Sequence, residues 1–151
     1  MPTSDEAFAR AVGHLQAGRW QAAEEGLRRL LADRPNDAAA WHQLGILVYQ
    51  TKKYETAIEY FGRAIAISGK EVDFHVNLGN AFLALGKLDR AIECYRYTLE
   101  LKPDHSIAHY NLSTALYSLG ELPAAVSSYR RALELNPDDA RVHNNLGAAL
   151  R

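Results

Sequence analysis

Apolar and small residues recur along the chain in pairs of helical stripes. In the segment that begins at Ser106, the first stripe has the i, i+3, i+4, i+7 spacing of one helix face. Its members are His109, Leu112, Ser113 and Leu116. A second stripe contains Leu122, Ala125, Val126, Tyr129, Ala132 and Leu133. Because Gly120 separates the stripes and Pro137 disfavours helix at Asn136, the pattern predicts two amphipathic helices joined by a short turn.

The same hairpin pattern returns at a fixed period. The segment that begins at Ser106 aligns with the segment that begins at Val72 after a shift of 34 residues. The matched pairs include Leu112 with Leu78, Ala115 with Ala81, Gly120 with Gly86, Ala125 with Ala91, Tyr129 with Tyr95 and Pro137 with Pro103. A constant period over whole units predicts a stacked-repeat solenoid, in which each repeat packs on its neighbours. Repeats are expected at about 4–37, 38–71, 72–105 and 106–139, with a partial repeat at 140–151.

Several copies carry the spaced frame W-x2-L-G-x2-Y…A-x3-F…A…P. In the second copy its residues are Trp41, Leu44, Gly45, Tyr54, Ala57, Phe61 and Ala64. In the third they are Asn77, Leu78, Gly79, Phe82, Gly86, Ala91, Tyr95 and Pro103. The chain therefore resembles the tetratricopeptide repeat family over essentially its whole length. The resemblance implies an all-α fold: a right-handed superhelical solenoid of antiparallel helix hairpins, with four repeats plus one extra helix in a single domain over residues 1–151.

The first two copies depart from the frame in several places. Arg10 occupies a normally buried position, which is expected of a terminal repeat with one face in water. Lys52 stands where glycine usually turns the chain, and Gly69 stands where proline usually ends the unit. Ser4 or Asp5 is expected to cap the first helix.

Composition and charge argue against several classes of function. The net charge is -1, with 48% hydrophobic and 23% charged residues, so no basic surface for nucleic acid or an anionic membrane is indicated. The single Cys94 cannot form an internal disulfide. The N-terminal residues lack the apolar run of a secretory signal, and no stretch approaches the roughly 20 apolar residues of a membrane span. We expect a cytoplasmic protein with neither a nucleic-acid nor a membrane partner.

The sequence shows no catalytic motif such as HExxH or GxSxG, and no cysteine cluster. His75, His109 and His143 recur once per repeat, at the position of Trp41. Neighbouring helices pack about 8–10 Å apart, whereas metal ligands lie about 2 Å from the ion, so a packing role is favoured for these histidines. We expect no enzymatic activity, no cofactor and no metal site.

The candidate functional surface is the side of each first helix that lies opposite its buried stripe. The resemblance implies that this side lines a concave groove, and its residues here are nearly uncharged. The residues assigned to a peptide-binding groove are Gln43, Asn77, Asn111, Asn145, His42, Ile46, Tyr49, Asn80, Tyr110, Thr114 and Tyr117. The wider surface closes on Arg141, Asn144 and Asn145.

One position of this surface carries a side-chain amide in four copies, at Gln43, Asn77, Asn111 and Asn145. An amide offers a donor and an acceptor, which suits the N–H and C=O groups of an extended peptide backbone. The row resembles the asparagine ladder of O-linked N-acetylglucosamine transferases, where such residues grip the substrate peptide. In the alternative interpretation the amides are structural, and each bonds a neighbouring turn.

The sequence therefore predicts a protein–protein interaction scaffold that binds a protein or peptide ligand, as an extended segment, in the concave groove. A chaperone-type clamp for a terminal carboxylate is disfavoured, because Phe8, His42 and Asp73 occupy its lysine positions. One alternative is the substrate-recruiting N-terminal part of a larger enzyme such as a glycosyltransferase. Another is self-association into a homo-oligomer through open repeat ends, where Leu146 and Leu150 present apolar surface. The final helix either caps the stack or belongs to a longer array.

Overall fold

The computed structural model describes residues 1–151, which form nine α-helices and no strand. The helices are α1 (Ser4–Gln16), α2 (Trp20–Asp33), α3 (Ala38–Gln50), α4 (Tyr54–Ile67), α5 (Val72–Ala84), α6 (Leu88–Leu101), α7 (Ser106–Leu119), α8 (Leu122–Leu135) and α9 (Ala140–Ala149). This confirms the all-α prediction of four helix pairs followed by one further helix. None of the nine has the length and apolar character needed to cross a membrane. The chain divides into two compact units, Met1–Phe74 and His75–Arg151.

The first unit packs α1 on α2, α2 on α3 and α3 on α4. Its core cluster contains Ala11, Leu27, Leu30, Leu31, Ala40 and Leu44. Gly45 is required where α3 meets α4, since a Cβ at this position would lie 2.4 Å from Cε1 of Phe61. The glycine of the frame therefore has a direct cause at this position, because the Phe61 ring occupies the space that a larger side chain would need.

The second unit packs α6 on α7, α7 on α8 and α8 on α9. Tyr95, Tyr129 and Val142 are fully buried in it. At the position equivalent to Gly45, a Cβ on Gly79 would lie 2.7 Å from Cε1 of Tyr95. The next repeat places the small, fully buried Ser113 there. The same close approach of first and second helices is thus kept in both units.

The turn inside each hairpin places one residue in the left-handed region. Gly18, Gly86 and Gly120 have φ of 72, 71 and 88°, and Lys52 has φ of 62°. These four residues are spaced by the repeat period. A side chain in this conformation costs about 1–2 kcal/mol, so Lys52 carries strain that the three glycines avoid.

The first helix is capped by Thr3, so the prediction of Ser4 or Asp5 was wrong. Thr3 Oγ1 accepts a hydrogen bond from the Glu6 backbone N–H at 3.2 Å. Glu6 Oε2 accepts in return from the Thr3 N–H at 2.8 Å. The pair forms a capping box, which starts the helix one residue before the expected place.

The second stripe of the fourth repeat is buried as predicted at Ala125, Tyr129 and Ala132, but not at Leu122. Leu122 is 44% exposed because it is the first residue of α8 and lies beside the turn. Pro123 lies in the first turn of the same helix, where its missing N–H has no cost. The helix ends at Leu135 before Asn136, as predicted.

Candidate functional site

In the second unit the predicted surface residues lie on α5, α7 and α9. They are Asn77 and Asn80 on α5, Tyr110, Asn111, Thr114 and Tyr117 on α7, and Asn145 on α9. Tyr110, Thr114 and Tyr117 have the i, i+4, i+7 spacing of one helix face. Helix α7 also contacts α9, which brings the surface residues of two repeats side by side.

Asn80 lies at the centre of the first polar contact between repeats. Its Oδ1 accepts a hydrogen bond from the Tyr95 hydroxyl at 2.7 Å and a second from Asn111 Nδ2 at 2.9 Å. Tyr95 is fully buried against Gly79, so its hydroxyl is a fixed anchor. The orientation of both amides is therefore set by the packed interior.

Tyr110 lies at the centre of the second contact. Its hydroxyl accepts a hydrogen bond from Asn145 Nδ2 at 3.3 Å. Its ring centroid is 6.3 Å from that of Tyr129, and the Arg141 guanidinium carbon lies 4.9 Å from the same ring. Three neighbours thus hold Tyr110 in one position. We call Asn80, Tyr110, Asn111 and Asn145 the tethered row.

The tethered row leaves part of its hydrogen-bonding capacity unused within the protein. Each NH2 group of Asn111 and Asn145 donates to a side chain of the preceding repeat, whereas their Oδ1 atoms accept no hydrogen bond. Asn80 uses its Oδ1 twice and leaves its NH2 group as a donor. In the alternative interpretation each amide bonds a neighbouring turn, but Asn111 and Asn145 bond side chains of the preceding repeat.

Two other predicted residues of α7 differ in availability. Thr114 Oγ1 donates to the Tyr110 carbonyl oxygen at 3.0 Å, so this hydroxyl is already used inside the helix. Tyr117 is 42% exposed and presents an accessible ring.

Arg141 is fixed on this surface by Asp139. Asp139 Oδ1 accepts from Arg141 Nε at 3.1 Å, and Oδ2 accepts from Arg141 Nη2 at 2.8 Å. The hydrogen bonds from Arg141 lower the pKa of Asp139, and those to Asp139 raise the pKa of Arg141. Both groups are consequently charged at neutral pH.

In the first unit His42 is a correction to the predicted surface. It is only 7% exposed, with ring centroids 5.5 Å from Phe61 and 4.5 Å from Phe74. Burial lowers the pKa of His42 to about 4, an effect that the charge and backbone of Asp73 partly oppose. His42 is a neutral core residue and does not offer a ligand-contacting side chain.

The remaining predicted residues of the first unit lie on α3 and are half-buried. Gln43 and Ile46 are partly accessible. Tyr49 packs edge-on against Tyr54 with centroids 5.3 Å apart, and burial raises its pKa above the ordinary value. These side chains offer one amide, one aliphatic and one aromatic group.

The position shared by Trp41 and the recurring histidines has a structural role. In three repeats its ring nitrogen donates to the carbonyl oxygen of the proline six residues earlier. The distances are 2.8 Å from Trp41 Nε1 to Pro35, 2.8 Å from His109 Nε2 to Pro103 and 2.7 Å from His143 Nε2 to Pro137. Each ring thus fixes the turn that precedes its helix. No group of three His, Cys, Asp or Glu side chains converges as a metal site.

Tyr95 is the residue whose part in the site the sequence analysis missed. The frame places it in the core, and it is fully buried, but its hydroxyl also positions Asn80. The sequence did contain a signal for this role. The equivalent residue of the second repeat is Phe61, so Tyr95 adds a hydroxyl at a buried position, and a buried tyrosine hydroxyl needs a hydrogen-bond partner.

Two protein-family models, both described as tetratricopeptide repeat, match this chain. One matches residues 8–71, 76–140 and 114–151, and the other matches residues 48–96. No curated protein sequence matches.

Solved structures share the fold. A crystal structure of MamA is similar with a TM-score of 0.83 and 25% identity, over 92% of this chain and 81% of that one. The hetero-tetramer Cut9-Hcn1 of APC/C aligns over 100% of this chain and 30% of that one, with a TM-score of 0.91 and 22% identity. The first TPR of Spaghetti (RPAP3), bound to the HSP90 peptide SRMEEVD, aligns over 74% of this chain and 89% of that one, with a TM-score of 0.73 and 22% identity.

Proposed function

Because the chain belongs to the tetratricopeptide repeat family, we propose that it is a protein-interaction scaffold without enzymatic activity, whose second unit binds an extended peptide segment. The tethered row is the proposed contact surface for the peptide backbone. Tyr117 adds an accessible aromatic ring beside it.

The observation that carries this proposal is the fixed orientation of the row. Asn80 and Asn111 are bonded to each other, and Asn145 is bonded to Tyr110. Side chains that are already ordered lose little conformational entropy when a ligand binds. A row of this kind can grip a peptide at a lower entropic cost than mobile surface amides.

The chemistry of the row fits a peptide backbone. The Oδ1 atoms of Asn111 and Asn145 can accept from backbone N–H groups, and the NH2 group of Asn80 can donate to a carbonyl oxygen. An extended peptide presents both groups along its length whatever its sequence. The likeness to the asparagine ladder of O-linked N-acetylglucosamine transferases remains a prediction of the sequence.

The ligand is expected to differ from the acidic HSP90 peptide in the RPAP3 complex. The clamp positions for a terminal carboxylate are held here by Phe8, His42 and Asp73. His42 is buried and neutral, and Asp73 would repel an acidic chain end. We therefore propose an internal, extended segment as the ligand.

The proposal is tested with peptides selected from a displayed random library on the full chain. Asn111→Ala/Asn145→Ala should weaken binding of the selected peptides by about 10-fold or more, since each lost hydrogen bond is worth about 1 kcal/mol. Fluorescence anisotropy of labelled peptides measures the change. The control is Asn36→Ala/Asn136→Ala, which removes two exposed amides from the inter-repeat turns.

Because Asn111 and Asn145 also bond neighbouring repeats, a second arm leaves the protein unchanged. Backbone N-methylation of the peptide at single positions removes one donor at a time. Loss of affinity at positions along one edge of the peptide supports the proposal. Equal affinity of parent and Asn111→Ala/Asn145→Ala, with methylation tolerated throughout, would show that the row is purely structural.

A further inference from the structure

Arg141 is the charged side chain that lies against the tethered row. Its guanidinium carbon is 4.9 Å from the centroid of the Tyr110 ring, and Asp139 holds its Nε and Nη2 atoms. Arg141 stands one helical turn before Asn145 on α9, and both side chains contact Tyr110 of α7. The guanidinium thus lies over the Tyr110 ring and is held along one edge by Asp139.

Much of the Arg141 side chain remains open to solvent. The Arg141 side chain is 65% exposed, whereas that of Asp139 is 12% exposed. A guanidinium that is held by a carboxylate and a ring loses little freedom when a further group stacks on it. Arg141 contacts the ring of Tyr110, whose hydroxyl accepts from Asn145, so its exposed part lies next to the tethered row.

The charge of Arg141 is already balanced. Both oxygens of Asp139 accept from it, and Oδ1 also accepts from the Arg141 backbone N–H at 3.0 Å. The pair is close to neutral as seen from a distance, so it does not preferentially attract an acidic peptide. What remains accessible is a flat, weakly hydrated cationic face, which aromatic rings favour.

We propose that Arg141 is a ligand-binding residue, and that its guanidinium forms a stacking platform for an aromatic side chain of the bound peptide. This inference rests on the proposed function, since the peptide backbone must lie along the tethered row to bring a side chain to Arg141. Tyr110 supports the platform from below. The contacts to the peptide backbone provide affinity for any extended peptide, and the platform adds a preference for an aromatic side chain at one position.

The test uses the peptides selected on the full chain and the variant Arg141→Lys. Lysine keeps the positive charge beside Asp139 but has no flat face. Selected peptides should share an aromatic residue at one fixed position. Arg141→Lys should lower the affinity of the chain for these peptides by about 3- to 10-fold. Arg130→Lys, on the exposed side of α8, is the matched control and should leave binding unchanged.

A double-mutant cycle identifies the contact. The selected peptide and its aromatic-to-leucine variant are each measured against the parent chain and Arg141→Lys. If the aromatic ring of the peptide stacks on the Arg141 guanidinium, the effects of the two substitutions are not additive, and the leucine peptide is insensitive to Arg141→Lys. Melting of the variant alone, followed by circular dichroism, separates a binding effect from a folding one.

The outcomes distinguish this inference from the proposed function. Peptides that lose affinity with Asn111→Ala/Asn145→Ala but bind the parent and Arg141→Lys equally would overturn the stacking platform alone. Selection of acidic in place of aromatic residues at the Arg141 position would do the same. If the parent chain selects no peptide at all, both proposals fall.

Discussion

A single buried histidine links the stability of the first unit to pH. His42 lies between Phe61 and Phe74, and burial lowers its pKa to about 4 from an ordinary value of 6.5. The unfolded chain therefore takes up a proton at this residue at a higher pH than the folded chain. Stability from this source is complete above pH 6.5 and is lost as the pH falls towards 4.

We expect His42→Gln to flatten this acid dependence. Glutamine keeps hydrogen-bonding groups at the site but does not titrate. Between pH 6.5 and 4 the parent chain should lose up to about 3 kcal/mol more of its free energy of unfolding than the variant does. Urea unfolding at a series of pH values measures the difference. Parallel curves for the two chains would mean that His42 is not kept neutral by its surroundings.

A single turn residue carries avoidable strain. Lys52 has φ of 62°, at the position where the other three turns have glycine. Lys52→Gly should raise the free energy of unfolding by about 1 kcal/mol, because relief of the strained backbone outweighs the greater freedom of glycine in the unfolded chain. The shift in urea midpoint at unchanged slope is the readout.

The neighbouring Lys53 supplies the control. It has φ of −90° and precedes α4, so it carries no left-handed strain. Lys53→Gly should bring no gain in stability. An equal gain in both variants would point to charge removal and not to the backbone.

At the scale of the helix pair, the glycine in the middle of the first helix is needed in one repeat but not in another. Gly79 faces Tyr95, and an added Cβ would lie 2.7 Å from its ring. Gly147 is the equivalent residue of α9, and an added Cβ there would meet nothing within 4 Å. A glycine-to-alanine substitution is therefore expected to change the free energy of unfolding in opposite directions at the two positions.

Gly79→Ala should lower the free energy of unfolding by about 1–3 kcal/mol through overpacking. Gly147→Ala should raise it by up to about 1 kcal/mol, because alanine favours helix over glycine. Thermal melting of the two variants beside the parent measures both. A stabilising effect of Gly79→Ala would mean that α5 and α6 do not pack as closely as described.

The helix pairs were predictable because each repeat encodes its own pattern. The apolar stripes, the turn glycines and the prolines are all local signals, and they recur at one period. The wrong predictions at the helix ends are small: Thr3 is the N-cap in place of Ser4 or Asp5, and Leu122 lies exposed beside its turn. Both concern one residue at a boundary, where local pattern is least informative.

At the scale of the whole molecule, the partners of polar side chains could not be predicted from one repeat. The helical spacing assigned His42 to the side of α3 opposite its buried stripe, but Phe74 from the next repeat covers it. Asn111 and Asn145 occupy equivalent positions and still choose different partners. Asn145 bonds Tyr110, whereas the residue equivalent to Tyr110 for Asn111 is Val76, which has no polar group. The hydrogen-bond partner of each asparagine depends on the residues of two adjacent repeats, and the repeat period alone does not specify them.

The bond between Asn80 and Asn111 also limits how this chain could lose a repeat. Removal of one whole period from the third repeat would keep every helix in register, but it would place Ile46 where Asn80 now stands. Asn111 would then lose its acceptor. A duplication of the third repeat would instead place Asn77 of the second copy opposite Asn80 of the first, and so would keep an amide at that position. The helices of different repeats are interchangeable in length and register. The side-chain hydrogen bonds between repeats are not, so the order of the repeats matters.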